Sequence, residues 1–353
     1  MVISSLAGPT PIRSLLILKE EWLFCIVPIG IYLFRKEKYR SKMLYLFILS
    51  VGLIGLYGIV QHFTGINLFK KVSPQTAVDI GYVVRGSFSH SMTFANYFST
   101  ALIFITTFLL TDWTKYSNRI KIILSIVCIL VFIAVVFSYS RMAILGLFIM
   151  LGILGVKYNK KFIPAVLVLL IILISLAFWQ SEKLQKHSEF NLNREIDISR
   201  DTGRGFIWRQ SLEIIGANPV FGVGQGNFED VYRNAYIAKG LYVYYSRVHA
   251  HNDLLNVAAI GGIPAMLFFL GIWVFYFRYV RKCINLYNQD DSFYPILMAA
   301  FFSAIMFFIT STVEATFADE EVRQLLMFIW AAGLWPLSRK EKIKSGTNIN
   351  TRL

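Results

Sequence analysis

The chain has 353 residues, of which 56% are apolar and only 16% charged, and its mean hydropathy is +0.56. An average soluble domain carries about 25% charged residues, so a water-soluble surface cannot be built from this composition, and apolar surface must face lipid. The net charge of +14, from 35 Lys+Arg against 21 Asp+Glu, speaks first of membrane topology rather than of nucleic acid. Cys25, Cys128 and Cys283 are scattered through apolar runs, which argues against a disulfide framework and a zinc site.

A span needs about 20 mostly apolar residues. The first run, 22–34, is short and follows Lys19, Glu20 and Glu21; it reads as a tilted helix extended back to Ile12 or as a re-entrant piece. Clear runs then follow at 43–63, 92–110, 120–137, 162–179, 254–277 and 293–312, with shorter ones at 142–156 and 322–337. The expected fold is all-α, a polytopic membrane bundle of eight or nine spans. It divides into an N-terminal bundle (1–179), one large loop (180–252), C-terminal helices (253–337) and a polar tail (338–353).

The basic residues set the direction. With alternate loops assigned to one side, segments 35–42, 111–121, 157–161 and 278–291 and the tail carry nineteen Lys/Arg; the short loops opposite carry four, Lys70, Lys71, Arg85 and Arg141. The richer side is cytoplasmic by the positive-inside rule, so the tail is inside and the 180–252 loop outside. The outer loop 313–321 is acidic, with Glu314, Asp319, Glu320 and Glu321.

The role of the polar stretch 181–199 is not legible. Beyond it, Asp201 or Thr202 suits a helix N-cap, and Trp208, Leu212 and Ile215 recur at i, i+4 and i+7 as one apolar stripe. Asn218-Pro219 ends this short amphipathic helix. Arg204 in its first turn is either a phosphate-binding fork, where backbone N–H groups already favour an anion, or a snorkelling interfacial arginine. The run Phe221-Gly-Val-Gly-Gln-Gly-Asn-Phe228 lacks the ending of a phosphate loop and reads better as a glycine turn passing close to another element. Tyr232, Tyr236, Tyr242, Tyr244 and Tyr245 suit an interfacial belt better than sugar stacking.

The loop ends in Val248-His-Ala-His-Asn-Asp253, running straight into a span. Such polar residues at the mouth of a helix usually mark a site. His249 and His251 are two apart and face different ways on a helix, whereas a metal pair prefers i, i+4 spacing. No third ligand stands nearby in sequence, so no metal is expected. One histidine as proton acceptor is the better use; a helix-capping role is the alternative. Arg141 opens a span, where an anion partner would offset its cost near lipid unless it is an end anchor. Arg85 precedes a polar, aromatic entry that also holds His90 and Asn96. The outer side therefore gathers Arg85, Arg141, Arg204, Arg209 and His251. A site rich in arginine and poor in carboxylates suits a phosphorylated ligand without a metal ion, and beside lipid-facing helices that ligand is a lipid-borne diphosphate.

At these residues the sequence resembles the bacterial O-antigen ligase family and its relatives, the O-antigen and exopolysaccharide polymerases. Arg141-x3-Leu145 is similar to the family's Arg-x3-Leu motif. Thr202-Gly-Arg-Gly, Trp208 and Asn218-Pro-Val-Phe-Gly-Val-Gly-Gln-Gly-Asn-Phe228 resemble its outer-loop signature. His251-Asn252, nine residues, then Gly262 resembles its His-Asn-x9-Gly-x-x motif, with Ala265, three residues after that glycine, a mild departure. Arg85-Gly-Ser-Phe-Ser-His90 looks like the family's first outer loop.

The resemblance implies a GT-C-like, all-helical glycosyltransferase in the bacterial cytoplasmic (inner) membrane, with its site facing the periplasm. The donor would be a glycan on undecaprenyl diphosphate, the acceptor a sugar hydroxyl of lipid A-core or another glycan, and the surroundings membrane lipid. No nucleotide sugar, metal or other cofactor and no nucleic acid would take part. In this reading Arg141 and Arg204, then Arg85 and Arg209, hold the diphosphate. His251 is the catalytic base, His249 and Asn252 orient the acceptor, and a single displacement inverts the anomeric carbon. A repeat-unit polymerase shares donor and chemistry with a ligase, and the His-Asn-x9-Gly pattern favours the ligase type. An anion or lipid-linked glycan transporter is the remote alternative, which would call for broken spans near the bilayer midplane and a repeat between halves; the sequence suggests neither.

Overall fold

The computed structural model describes residues 2–69, 76–77, 81–158, 204–238 and 249–336. The elements in order are α1 (Val2–Ala7), α2 (Pro11–Ile17), a 3-10 helix (Leu18–Cys25), α3 (Ile26–Arg35), α4 (Glu37–Thr64), a two-residue hairpin pairing Thr76–Ala77 with Gly81–Tyr82, α5 (Ser91–Thr111), α6 (Asn118–Val136), α7 (Arg141–Tyr158), α8 (Arg204–Ala217), α9 (Phe228–Ala238), α10 (Asp253–Leu286), α11 (Tyr294–Ser311), a 3-10 turn (Thr316–Ala318) and α12 (Glu320–Leu334). Six helices (α4, α5, α6, α7, α10 and α11) are long and apolar enough to cross a membrane. The fold is a polytopic helical membrane bundle. The expected span 162–179, the stretch 181–199, the caps Asp201 and Thr202, the residues Tyr242, Tyr244 and Tyr245 and the tail lie outside the described residues, as does the side chain of Tyr236.

The long helices turn different chemistry to their two sides. On α4, the apolar residues Leu46, Leu49, Leu53, Leu56, Val60 and Phe63 are exposed along one stripe, where lipid takes the place of water. Its opposite face is small: added methyl groups at Gly52, Gly55 and Gly58 would meet Val127, Val131 and Ala134 of α6, the close approach that small residues permit between membrane helices. α5 and α11 lie at the centre and are buried over most of their length. The basic segment 35–42, expected as a loop, is mostly the first turns of α4, since nothing in Glu37–Lys42 stops a helix.

The stretch 12–34, expected as a tilted helix or a re-entrant piece, is three pieces, α2, the 3-10 helix and α3. The interruption falls at Lys19-Glu20-Glu21, and Glu21 meets Arg323 of α12 at 3.5 Å, so the acidic residues leave the apolar run where a cation receives one of them. α3 and α12, both short, fill the bundle with Phe34, Leu326 and Trp330.

A second, smaller core stands at one end of the bundle. Phe206, Ile207, Ile214 and Ile215 of α8, Val223, Phe228 and Tyr232 pack on Ala258, Ala259 and Ile260 of α10. The buried face of α8 is turned from the expected stripe: Phe206, Ile207, Gln210, Ser211, Ile214 and Ile215 face in, while Leu212 is exposed. A buried serine and glutamine hid that face from an apolar count. Tyr232 is a core residue stacked on Phe228, not part of an interfacial belt.

This core is locked to α10 by a break in that helix. Gly262 has φ 80 and ψ 172, and Pro264 follows. Pro264 has no N–H to return to the Ile260 carbonyl four residues back. Backbone groups freed at the break find partners from elsewhere. The Ile260 carbonyl accepts Gly224 N at 2.9 Å, the Ala259 carbonyl accepts Val223 N at 2.8 Å, and Ile263 N donates to the Pro219 carbonyl at 2.8 Å. Ser4 Oγ of α1 donates to the Gly261 carbonyl at 3.3 Å. The glycine run is thus the close-passing turn the sequence implied. An added methyl at Gly222 would lie 2.6 Å from the Ala259 oxygen, and one at Gly262 would strike the Val220 carbonyl. The break that a transporter would use as a binding gap is here filled by the chain's own backbone.

Candidate active site

Three consecutive residues ahead of and at the start of α10 each clasp the 312–317 loop. His251 Nδ1 lies 2.5 Å from Glu314 Oε1. Asn252 donates through Nδ2 to the Thr312 carbonyl at 2.7 Å, while its Oδ1 caps α10 by accepting Leu255 N at 3.0 Å. The Asp253 carboxylate accepts Phe317 N at 3.0 and 3.1 Å and Thr316 Oγ1 at 3.3 Å. Three side chains in a row can reach one loop because His251 takes a left-handed backbone, φ 48, costly for a residue with a Cβ unless its surroundings hold it. Trp208 Nε1 does part of this by donating to the His251 carbonyl at 3.3 Å. Ala250 N donates to Asn256 Oδ1 at 3.3 Å.

Glu314 is the hub. It is 8% exposed, its second oxygen lies 3.2 Å from Arg204 Nη2, and Arg204 also touches Met92 Sδ at 3.9 Å. Burial alone would raise the Glu314 carboxyl, but the hydrogen bond and charge of His251, with the charges of Arg204 and His249, more than offset it, and the net direction is down. Glu314 is therefore held as a carboxylate. The neighbouring Asp319, which accepts Thr93 Oγ1 at 2.8 Å, has less cationic help, and burial pushes its carboxyl up to about 6.

His249 sits edge-to-face with His251 at 4.5 Å between centroids, and His251 N donates to His249 Nδ1 at 3.3 Å. Ligating atoms of His249, His251 and Glu314 lie within 4.8 Å of one another, a donor set that zinc accepts. The structure departs from the sequence expectation at two points. A third potential ligand does stand beside the histidine pair, brought from 63 positions away, and the site is not poor in carboxylates. Glu314 was visible only as part of an acidic outer loop, and its residue number says nothing of its distance from His251. The Glu314 oxygens are shared between an imidazole and a guanidinium, so a metal ion would compete with Arg204 as well as with a proton.

The structure thus brings His249, His251, Asn252 and Arg204 together around Glu314. Arg209 lies on the exposed side of α8, 3.8 Å from Glu213. Arg85 and Arg141 come from two other loops at the same end of the bundle. Arg141 is the exposed first residue of α7. Arg85 precedes α5, whose first turn supplies Met92 and Thr93 to the cluster. The two loops are tied together by Val84 N donating to the Phe137 carbonyl at 3.0 Å.

No curated protein matches this sequence. A family model described as O-antigen ligase matches residues 126–270. That stretch holds Arg141, Arg204, Arg209, His249, His251 and Asn252; Glu314 and Arg85 lie beyond it. Over residues 126–270 the chain is thus similar to the O-antigen ligase family, a likeness that supports an activity of the O-antigen ligase or polymerase type.

Proposed function

We propose that the protein transfers a glycan from undecaprenyl diphosphate to a sugar hydroxyl, as a ligase acting on lipid A-core or a similar acceptor. The observation that carries this reading is the buried carboxylate Glu314 held between His251 and Arg204. With its Nδ1–H donating to Glu314, the His251 ring presents Nε2 as its acceptor nitrogen. The acceptor hydroxyl is a poor nucleophile until its proton is removed. Its oxygen attacks the anomeric carbon, its proton passes to Nε2, and the bond from that carbon to the diphosphate oxygen breaks with its electron pair. Attack opposite the leaving group inverts the carbon. Glu314 fixes the tautomer and steadies the imidazolium that forms.

The leaving diphosphate gains charge as the bond breaks, and preorganised cations there lower the barrier. Arg204 is the first such cation. Its planar fork has five N–H donors, enough to keep Glu314 and meet a phosphate oxygen. Arg141, at a helix N-terminus where amide groups also favour anions, is the second, with Arg85 and Arg209 further out. His249 and Asn252 border the acceptor. No metal ion is required in this scheme. The nineteen Lys/Arg that the sequence assigns to the cytoplasmic side, against four on the other, support a periplasmic orientation of the site in the inner membrane, with 180–252 outside.

The test is transfer by purified protein in nanodiscs containing undecaprenyl-diphosphate glycan. Lipid A-core and a second lipid-linked repeat unit are offered as separate acceptors. Product on lipid A-core is expected; lengthening of the lipid-linked chain alone would mean a polymerase. A His251→Ala variant that transfers at the normal rate would remove the base assignment.

A further inference from the structure

The last turn of α4 holds two buried polar residues that the scheme above leaves unused. Gln61 is 0% and His62 1% exposed, on a helix whose other face is leucine and phenylalanine. Gln61 Oε1 accepts two successive backbone amides, Arg85 N and Gly86 N, each at 2.9 Å. Two N–H groups converging on one atom require an acceptor, which assigns the oxygen. The amide nitrogen Nε2 has no hydrogen-bond partner among the described residues. A glutamine whose nitrogen is unused is kept there for its oxygen. His62 donates from Nδ1 to the Tyr82 carbonyl at 2.8 Å. Its ring stacks on Phe137 at 3.8 Å between centroids and 12° between planes. Phe137 in turn accepts Val84 N and leads through Tyr139, at φ 55, into Arg141.

We propose that Gln61 and His62 are positioning residues for the donor site: they brace the Arg85 loop and the Arg141 turn against each other. Neither touches substrate. The proposal rests on the reading of Arg85 and Arg141 as diphosphate ligands. Its physical basis is that both arginines sit on loops, and a loop arginine binds a diphosphate tightly only if its backbone is fixed beforehand. Gln61 fixes the backbone at Arg85 itself, and His62 transmits the same reference point to the segment before Arg141.

The test compares Gln61→Met, which keeps the size and removes the acceptor, with Gln61→Glu, which retains an oxygen for both amides. Full-length protein in nanodiscs is assayed with undecaprenyl-diphosphate glycan, and amide hydrogen exchange is followed over 82–88 and 137–141. In Gln61→Met, exchange at Arg85 and Gly86 is expected to speed up and the donor KM to rise about tenfold, with kcat and the acceptor KM unchanged. Gln61→Glu should restore both. Unchanged exchange in Gln61→Met overturns the brace. Donor and acceptor KM rising together without rescue would reduce Gln61 to a general structural part and also overturn it. Arg85→Ala and Arg141→Ala separate the two layers. If neither alters the donor KM, the diphosphate reading fails and the donor role of the brace falls with it. If they raise it while Gln61→Met does not, the brace alone is wrong.

Discussion

The two ends of the bundle use the same kinds of ion pair to different effect. At the basic end Lys115 reaches Asp112 at 3.3 Å and Asp290 at 3.5 Å, but the Lys115 side chain is 43% and that of Asp290 96% exposed. Water screens such pairs, and they are worth about 0–1 kcal/mol. At the site end the side chains of Glu314, His251 and Arg204 are 10%, 17% and 25% exposed. Removing one member of a buried cluster strands the others, at about 3–5 kcal/mol. The difference teaches that position relative to water, not the number of charges, separates a topological signal from a site.

Breaking the buried cluster should give the largest effects. His251→Ala should lower kcat for glycan transfer by about 10²–10⁴, the range for losing a general base, with the fold retained. Glu314→Gln keeps the shape but removes the charge that orients His251 and pairs Arg204; a loss on the order of 10² in kcat is expected. A Glu314→Gln enzyme as fast as the parent would make the cluster merely structural.

Next in size is the lock between the glycine turn 221–228 and α10. Gly222→Ala forces a Cβ into backbone at a left-handed position and should cost ~3 kcal/mol or more in thermal unfolding. Gly271→Ala, within α10 and with nothing within 4 Å of an added methyl, should be neutral or stabilising by up to about 1 kcal/mol. Equal melting temperatures for the two variants would deny that the break is closely packed.

Acid sharpens the contrast further, because two site-end carboxylates titrate with opposite sign. Glu314 is lowered in the fold, so its contribution is present above the usual carboxylate range and is lost as pH falls through the depressed value. Asp319 is raised to about 6 from 3.8, so its contribution is full below the unfolded value and is lost as pH rises through 6. Unfolding measured from pH 4 to 8 should show Asp319→Asn gaining stability over the parent above pH 6 and little near pH 4. The smallest effect is expected at the basic end. Asp290→Asn should change stability by less than about 1 kcal/mol and leave transfer untouched; a clear loss of activity would join the two ends in one mechanism.

What the sequence revealed follows the same division. The long apolar runs became helices because lipid leaves the backbone no other partner, so five of the six clear runs appear as long helices; the sixth lies outside the described residues. The glycine turn was readable because its φ requirement is local. Glu314 was not, since its meaning arises only when 63 intervening residues bring it to His251. The buried face of α8 was misread for a related reason: Ser211 and Gln210 are buried against protein, and hydropathy marks only apolar burial. Gln61 and His62 gave no signal beyond interrupting an apolar run at its end.

The filled break in α10 has a consequence for the order of assembly. Val223 and Gly224 are synthesised before the carbonyls they serve, and Ser4 precedes its partner Gly261 by 257 positions. None of these partners can be met until ribosomal synthesis has passed Gly261. The smaller core therefore closes late, after α4 to α7 have been made. A nascent chain halted before that point would carry its histidine-bearing helix mouth, if made at all, without the scaffold that shapes it.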